Sequence, residues 1–285
     1  VYDGAVGSAG FLVEAFEYMS QSKTLTTTEL KTLQSKTFYG AEKKTLAYII
    51  GIMNMILHGI ESPNIIHQNT LEVNIQEIQN KDRVDVILAN PPFGGKEKAN
   101  IQENFPIKTS QTAYLFLQHF IKKLKTGGRG AVIVMNTILT NVDNASIAIR
   151  KLLLEECNLF AILNLPKGAF QGTGVQTVVL FFEKGKPTKK LWYYQLNVER
   201  NMGKTNSLNE NDLTDFIKLA KTQKISDNSW SIDIDKINKE TLDLGIQNPN
   251  IVEQIDTRTP HEIISEIEDL DEQVKKSLKI IKKLL

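Results

Sequence analysis

Asn90-Pro91-Pro92-Phe93 stands directly after the apolar run Val84-Asp85-Val86-Ile87-Leu88-Ala89, and its residue types suit one kind of chemistry. Two consecutive prolines fix φ and remove two backbone donors, which leaves rigid carbonyls. Asn90 adds a side-chain acceptor and Phe93 an aromatic face. Such a set can hold an exocyclic amino group by two accepted hydrogen bonds, with its ring stacked on Phe93. An acceptor pair also stabilises an amine whose nitrogen turns positive as it attacks a methyl group, so no strong base is needed. The competing reading is a plain turn after a strand.

A second candidate segment is Asp3-Gly4-Ala5-Val6-Gly7-Ser8-Ala9-Gly10-Phe11. Its small residues let a ligand approach the backbone, though a glycine-rich strand-to-helix turn equally serves phosphates or nothing at all. A third is Glu42, after Thr37-Phe38-Tyr39-Gly40-Ala41. A carboxylate past a second strand can accept from both ribose hydroxyls; taken alone, it reads as a solvated loop acid.

These residues need elements to position them. From Val1 to about Leu196 short β-like runs alternate with helical stretches, the pattern of an α/β parallel sheet. Strands are expected at Val1–Tyr2, Thr37–Tyr39, Val84–Ala89, Ala131–Met135, Leu159–Leu163, Val175–Glu183 and Leu191–Leu196. Helices are expected at Gly10–Met19, Thr45–Leu57, Ala113–Leu124 and Ser146–Glu156. Val84–Ala89 reads as a central strand buried on both faces. The short turn Lys184-Gly185-Lys186-Pro187 predicts that the last two strands form an antiparallel pair. Beyond residue 200 the texture changes to Asn-, Ser- and Asp-rich stretches. A short helix covers 211–221, and Pro260–Leu285 is a long amphipathic helix with a coiled-coil-like seam. The division predicted is 1–200, a catalytic domain, and 201–285, an extension whose helix binds a partner or folds back on its own domain.

In this order, the glycine-rich turn, the acidic residue and Asn-Pro-Pro-Phe resemble the motifs of class I methyltransferases acting on adenine N6. Gly40-Ala41-Glu42, Met53-Asn54-Met55-Ile56-Leu57-His58-Gly59-Ile60, Leu165-Pro166-Lys167-Gly168-Ala169-Phe170 and Gly172-Thr173-Gly174-Val175-Gln176-Thr177 narrow the resemblance to the modification subunits of type I restriction–modification systems. The likeness covers residues 1–196 closely and the remainder loosely. It implies a doubly wound, mainly parallel seven-stranded Rossmann-like sheet with one antiparallel strand and a helical C-terminal extension. It implies S-adenosylmethionine as cofactor, bound by Asp3, Ala5, Gly7, Gly10, Phe11, Glu42 and Asn69, with Ala5, Gly7 and Gly10 at its methionine part, Glu42 at its ribose and Asn69 at its adenine. Asn90, Pro91, Pro92 and Phe93 become the catalytic segment, and Phe93 and Phe170 flank the target base. The implied partners are DNA, a specificity subunit, a second modification subunit and a nuclease subunit. The chain departs from the family at Gly4, where proline is usual, at Ala9, where glycine is usual, and at Asn69, where aspartate is usual. The family's N-terminal helical domain has no counterpart here, and Val1 opens inside a strand, so the chain reads as an N-terminally truncated piece.

Composition sets broad bounds. The 285 residues are 41% hydrophobic and carry a net charge of +1, which gives no global signature for nucleic acid. Basic residues must act locally, with Lys96 and Lys98 as candidates for phosphate contacts, or a partner supplies the grip. No apolar run reaches the ~20 residues that span a bilayer. With one cysteine, Cys157, there is no internal disulfide, and a cytoplasmic setting is expected. The four histidines lack ligand spacing, and no metal is expected. Competing functions are methylation of an RNA adenine or a protein glutamine, or a catalytically silent assembly subunit.

Overall fold

The computed structural model describes residues 1–21, 24–170, 174–200, 202–203, 206–250 and 259–284. The elements in chain order are β1 (Tyr2–Asp3), α1 (Gly10–Gln21), α2 (Thr27–Lys36), β2 (Tyr39–Glu42), α3 (Thr45–Leu57), β3 (Asn64–His67), β4 (Val84–Ala89), α4 (Ala99–Gln102) and α5 (Thr112–Lys123). There follow β5 (Leu124–Met135), α6 (Thr137–Thr140), α7 (Asn144–Glu156), β6 (Cys157–Asn164), β7 (Thr177–Lys184), β8 (Lys190–Gln195), α8 (Thr214–Ala220), β9 (Ser229–Asp233) and α9 (Pro260–Leu284).

Among the described residues the strands form one nine-stranded sheet in the order β3-β2-β1-β4-β5-β7-β6-β8-β9. Its first seven members carry the expected doubly wound order, parallel except for β7, which runs antiparallel to both β5 and β6. This is the Rossmann-like class I methyltransferase sheet. The chain reverses its winding between β1 and β4, and ligands of such sheets bind in the crevice at that point.

Two strands, β8 and β9, extend the sheet beyond these seven; β8 is the strand expected at Leu191–Leu196, whereas β3 and β9 have no counterpart among the expected strands. β8 pairs in parallel with β6, and β9 pairs antiparallel with β8. The predicted pairing of the last two strands of the 1–196 region is therefore corrected: β7 and β8 run in opposite directions, but β6 lies between them. Thr188 explains the detour. Its hydroxyl donates to the Cys157 carbonyl at 2.7 Å and accepts from the Leu159 N–H at 2.8 Å, carrying the turn across the start of β6.

Side-chain alternation divides the core between the two faces. On one face α5 and α7 pack on Ile87, Ala89, Val132, Val134, Ile162 and Leu180. Residues Thr112–Ile121 of α5 are all buried, as for a helix with core on every side. On the other face α1 and α3 cover the β1–β2 edge, and Phe216 of α8 stacks on Trp192 beside the outer strands. β4 is central but not buried on both faces. Ile87 and Ala89 are buried, whereas Val86 and Leu88 are half-buried and Asp85 is exposed. Asp85 ion-pairs with Lys125 at 2.9 Å.

The contacts divide the chain into two compact units, Val1–Asn250 and Ile251–Leu285. The expected boundary at residue 200 falls inside the first, because β9 completes its sheet and Trp230 lies flat on Tyr193 at 5.2 Å. In the second unit α9 starts at a reciprocal cap. The Thr259 N–H donates to the Glu262 carboxylate, and the Glu262 N–H donates back to the Thr259 hydroxyl. Ile264, Ile267, Leu270, Val274, Leu278 and Ile281 make an apolar stripe that is about half exposed. No helix among the described residues is long and apolar enough to cross a membrane.

Candidate active site

The glycine turn leaves β1 and enters α1, and its backbone is held from several directions. The Asp3 carboxylate accepts from the Ala5 N–H at 2.9 Å. Val6 N–H donates to the Ala41 carbonyl of β2. Thr70 Oγ1 donates to the Gly4 carbonyl at 2.6 Å, and Asn54 Nδ2 donates to the Ser8 carbonyl at 2.8 Å. A Cβ on Gly4 would lie 2.9 Å from Phe120 and 3.2 Å from Thr70. The proline usual there in the family would collide with these side chains, so Gly4 is matched to its neighbours.

Gly7 has φ +55°, the left-handed region natural to glycine. Ala9 has φ +62° as well and is fully buried. The turn thus keeps its left-handed form despite the alanine, at the cost of Cβ strain.

Glu42 is the last residue of β2 rather than a loop residue. Its carboxylate accepts from the Gly7 N–H at 2.9 Å and the Lys44 N–H at 2.8 Å. The glycine turn and the acidic position are thereby locked together, with carboxylate lone pairs left for hydroxyls. Asp3 is almost fully buried, and its carboxyl is pushed up to about 7, by burial first and then by the nearby negative charge of Glu42, against the lowering effect of the Ala5 N–H.

Asn69 caps the short turn after β3. Its Oδ1 accepts from the Leu71 N–H at 3.2 Å, and its buried Nδ2 has no partner. A cavity of about 110 Å³ brings Ala5, Glu42, Asn69, Pro92 and Phe116 to one place. Lys43 and Glu97 also line it and approach each other to 3.7 Å. Asn54, Thr70, Thr112 and Phe116 support or line this site without having been singled out as site residues by sequence. Asn54 had a signal, as the one amide in the apolar helix Thr45–Leu57. Gly10 and Phe11 open α1 at the exposed surface, outside that cavity lining.

At the end of β4, Pro91 is buried and Asn90 half-buried, with Asn90 Oδ1 enclosed and unpartnered. A buried amide oxygen without a donor is costly unless a ligand completes it. The Phe93 and Phe170 rings meet edge to face, with centroids 5.3 Å apart and planes at 72°. The two aromatics assigned to one base are thus in contact, with no base-width gap between them. Among the described residues no group of three or more His, Cys, Asp or Glu side chains is placed to hold a metal ion.

The model of the N-6 DNA methylase family matches residues 1–258. The chain belongs to that family. It is 38% identical over 284 residues to the EcoEI type I restriction enzyme methylase subunit of Escherichia coli, which covers 93% of this chain and 56% of the relative. Against the EcoKI methylase subunit of Escherichia coli K12 the identity is 33%, over 76% of this chain and 44% of the relative. The crystal structure of a modification subunit of a putative type I restriction enzyme from Vibrio vulnificus superposes with a TM-score of 0.82 at 36% identity, covering 88% of this chain and 56% of that one. The chain spans about half the length of these relatives. The cofactor implied by the family is S-adenosylmethionine, and the residues present fit it. Glu42 retains acceptor capacity, Asn69 offers an unused donor beside the cavity, and a Cβ at Gly7 or Gly10 would meet only open space.

Proposed function

We propose that the protein transfers a methyl group to the N6 amino group of adenine in DNA, as the modification subunit of a type I restriction–modification complex. The observation that carries this reading is the enclosed, unpartnered Asn90 Oδ1 at the end of β4, next in sequence to the buried Pro91 and close to the Phe93–Phe170 pair. When bound, S-adenosylmethionine supplies a methyl group on a positively charged sulfur. Asn90 Oδ1 and the carbonyl of Pro91 accept from the two N–H bonds of the adenine amino group. This turns its lone pair outward and stabilises the positive charge that grows on nitrogen. Phe93 offers its face to the ring, so the remaining contribution is orientation. The adenine must leave the duplex stack to reach these groups. Phe170 must swing off Phe93 to admit it.

The names of the similar proteins, methylase subunits of type I enzymes, support the assignment to a larger complex. We assign the partners as a specificity subunit, a second modification subunit and a nuclease subunit. The half-exposed stripe of α9 is the candidate surface for helix-to-helix association. The chain's net charge of +1 suits a protein whose grip on DNA is shared with a partner.

The test is methyl transfer from labelled S-adenosylmethionine to unmodified DNA by the full-length protein co-expressed with its specificity partner. Asn90→Ala serves as control. N6-methyladenine formed by wild type and lost in the control is the expected result. Label on RNA or protein, with none on DNA, would keep the fold and cofactor and remove the DNA assignment. No cofactor binding in the complex would leave an assembly subunit without catalysis.

A further inference from the structure

A second polar recess opens at the carboxyl edge of the sheet, at the ends of β5, β6 and β8 and the start of β7. It encloses about 80 Å³. Asn136 follows β5, Asn164 ends β6, Gln176 precedes β7 and Gln195 ends β8, and all four line it. None of their side-chain amides has a hydrogen-bond partner among the described residues, although each is half-buried. The backbone groups around them are satisfied: Asn136 N–H donates to the Gln176 carbonyl at 2.8 Å, Leu196 N–H to the Asn164 carbonyl at 2.9 Å, and Gln195 N–H to the Asn228 carbonyl at 2.8 Å. The amides are therefore not spent on holding the loops. Trp230, 3% exposed, forms another wall, and its buried indole N–H has no acceptor. Tyr193 lies parallel to Trp230, at 3° between planes, and its hydroxyl is used on the Leu244 carbonyl at 3.0 Å.

The chemistry of this lining narrows the occupant. It contains no charged side chain, so it does not suit a phosphate, a carboxylate, an ammonium group or a metal ion. It offers several amides, each with a donor and an acceptor. A neutral planar group edged with alternating donors and acceptors answers that pattern, and amide side chains pair with nucleobase edges for this reason. The volume admits the edge of a base and excludes a whole nucleotide.

We propose that this recess receives the edge of a second nucleobase of the DNA, one that is not the methylated adenine. The proposal rests on the DNA reading above. Both places stand on the same edge of the sheet. β4, which ends just before Asn90, pairs with β5, which ends just before Asn136. A base held in the recess keeps the strand from sliding while the target adenine is turned out. It acts on DNA affinity and leaves cofactor binding alone.

The experiment uses the full-length protein with its specificity partner and duplexes carrying the site found methylated in genomic DNA. Two variants, Asn164→Leu with Gln195→Met and Gln176→Met alone, remove the amides at nearly constant volume. Cofactor affinity and the melting temperature are measured first, and both should match wild type. DNA affinity should then fall about tenfold or more, with kcat at saturating DNA nearly kept. A set of duplexes with a single abasic position, moved stepwise around the target adenine, identifies the base. One position should weaken wild type about tenfold and the variants hardly at all, because the contact is already lost. Variants that bind DNA as wild type does, or abasic penalties equal in wild type and variants at every position, overturn the proposal. Wild-type protein that binds cofactor and ignores DNA is a different result; it overturns the functional reading and this inference with it.

Discussion

The backbone N–H of Gly7 donates to Oε2 of Glu42 at 2.9 Å, joining residues 35 apart in sequence. One carboxylate therefore shapes the glycine turn and also lines the cavity proposed to hold the cofactor. Glu42→Gln keeps one acceptor oxygen and loses the charge. Its affinity for S-adenosylmethionine should fall about tenfold. Glu42→Ala loses both interactions and should fall about a hundredfold, given about 1.5–3 kcal/mol for hydrogen bonds to a charged group. Titration calorimetry with S-adenosylhomocysteine measures both. Equal, small effects from the two variants would mean that Glu42 only braces the turn.

Ala9 pays for a left-handed backbone with a side chain, yet it is fully buried. Relief of strain in Ala9→Gly, about 1–2 kcal/mol, is offset by about 0.8 kcal/mol of lost methyl burial and by the entropy of glycine, about 0.5–1 kcal/mol. The variant should lie within about 1 kcal/mol of wild type by denaturant unfolding. Ala9→Val sets a β-branched residue at the same positive φ and should lose at least about 2 kcal/mol. A loss above about 2 kcal/mol for Ala9→Gly would show that the methyl group matters more than the strain.

What was legible depended on whether local pattern and tertiary demand agreed. Thr45–Leu57 and Val84–Ala89 matched their expected bounds, because a long apolar helix and a bounded β-branched run declare themselves locally. α2 went unread, since only Leu33 of its residues is buried and its sequence is polar; the Thr26–Glu29 capping box was the available sign. β3 and β9, of four and five residues, owe their existence to neighbours already in the sheet. The candidate site was legible as types in order, Asp3 to Phe11, Glu42, Asn69 and Asn90 to Phe93. Which of them touch was not. The Glu42–Gly7 bond, the Phe93–Phe170 contact and the left-handed Ala9 depend on chain crossings that no local window contains.

The Phe93–Phe170 contact predicts that base reception and ring separation are one event. Phe170→Ala removes one aromatic wall, and base–aromatic stacking is worth about 1–3 kcal/mol. KM for DNA should rise about five- to a hundredfold with cofactor affinity unchanged. With 2-aminopurine at the target position, fluorescence on binding should be quenched less in Phe170→Ala than in wild type. Identical quenching would remove Phe170 from the base site.

The apolar stripe of α9 gives a test of assembly that is independent of catalysis. Leu270 and Val274 are about half exposed on it, and the helix is capped at Thr259 and Glu262 within its own residues. Leu270→Asp with Val274→Asp should leave cofactor affinity unchanged and abolish co-purification with the specificity partner, read by light scattering after gel filtration. An intact complex from the double variant would send the stripe back to a role within its own chain.

Asp3 sets a pH dependence whose sign follows from burial. Its folded carboxyl titrates near 7 instead of near 3.8, since burial penalises the charged form and Glu42 adds to it. Between about pH 4 and pH 7 the folded chain keeps this proton while the unfolded chain has released it. Stability then falls as pH rises across that window, by up to about 1.4 kcal/mol per pH unit. Above pH 7 both states are ionised and this slope ends. Asp3→Asn keeps an oxygen for the Ala5 N–H and cannot ionise, so it should lose that part of the slope. The variant's stability relative to wild type should increase from pH 5 to pH 7.5, measured by urea unfolding at each pH. Parallel curves for the two proteins would place the Asp3 titration outside the window and require a better-solvated carboxylate than the structure describes.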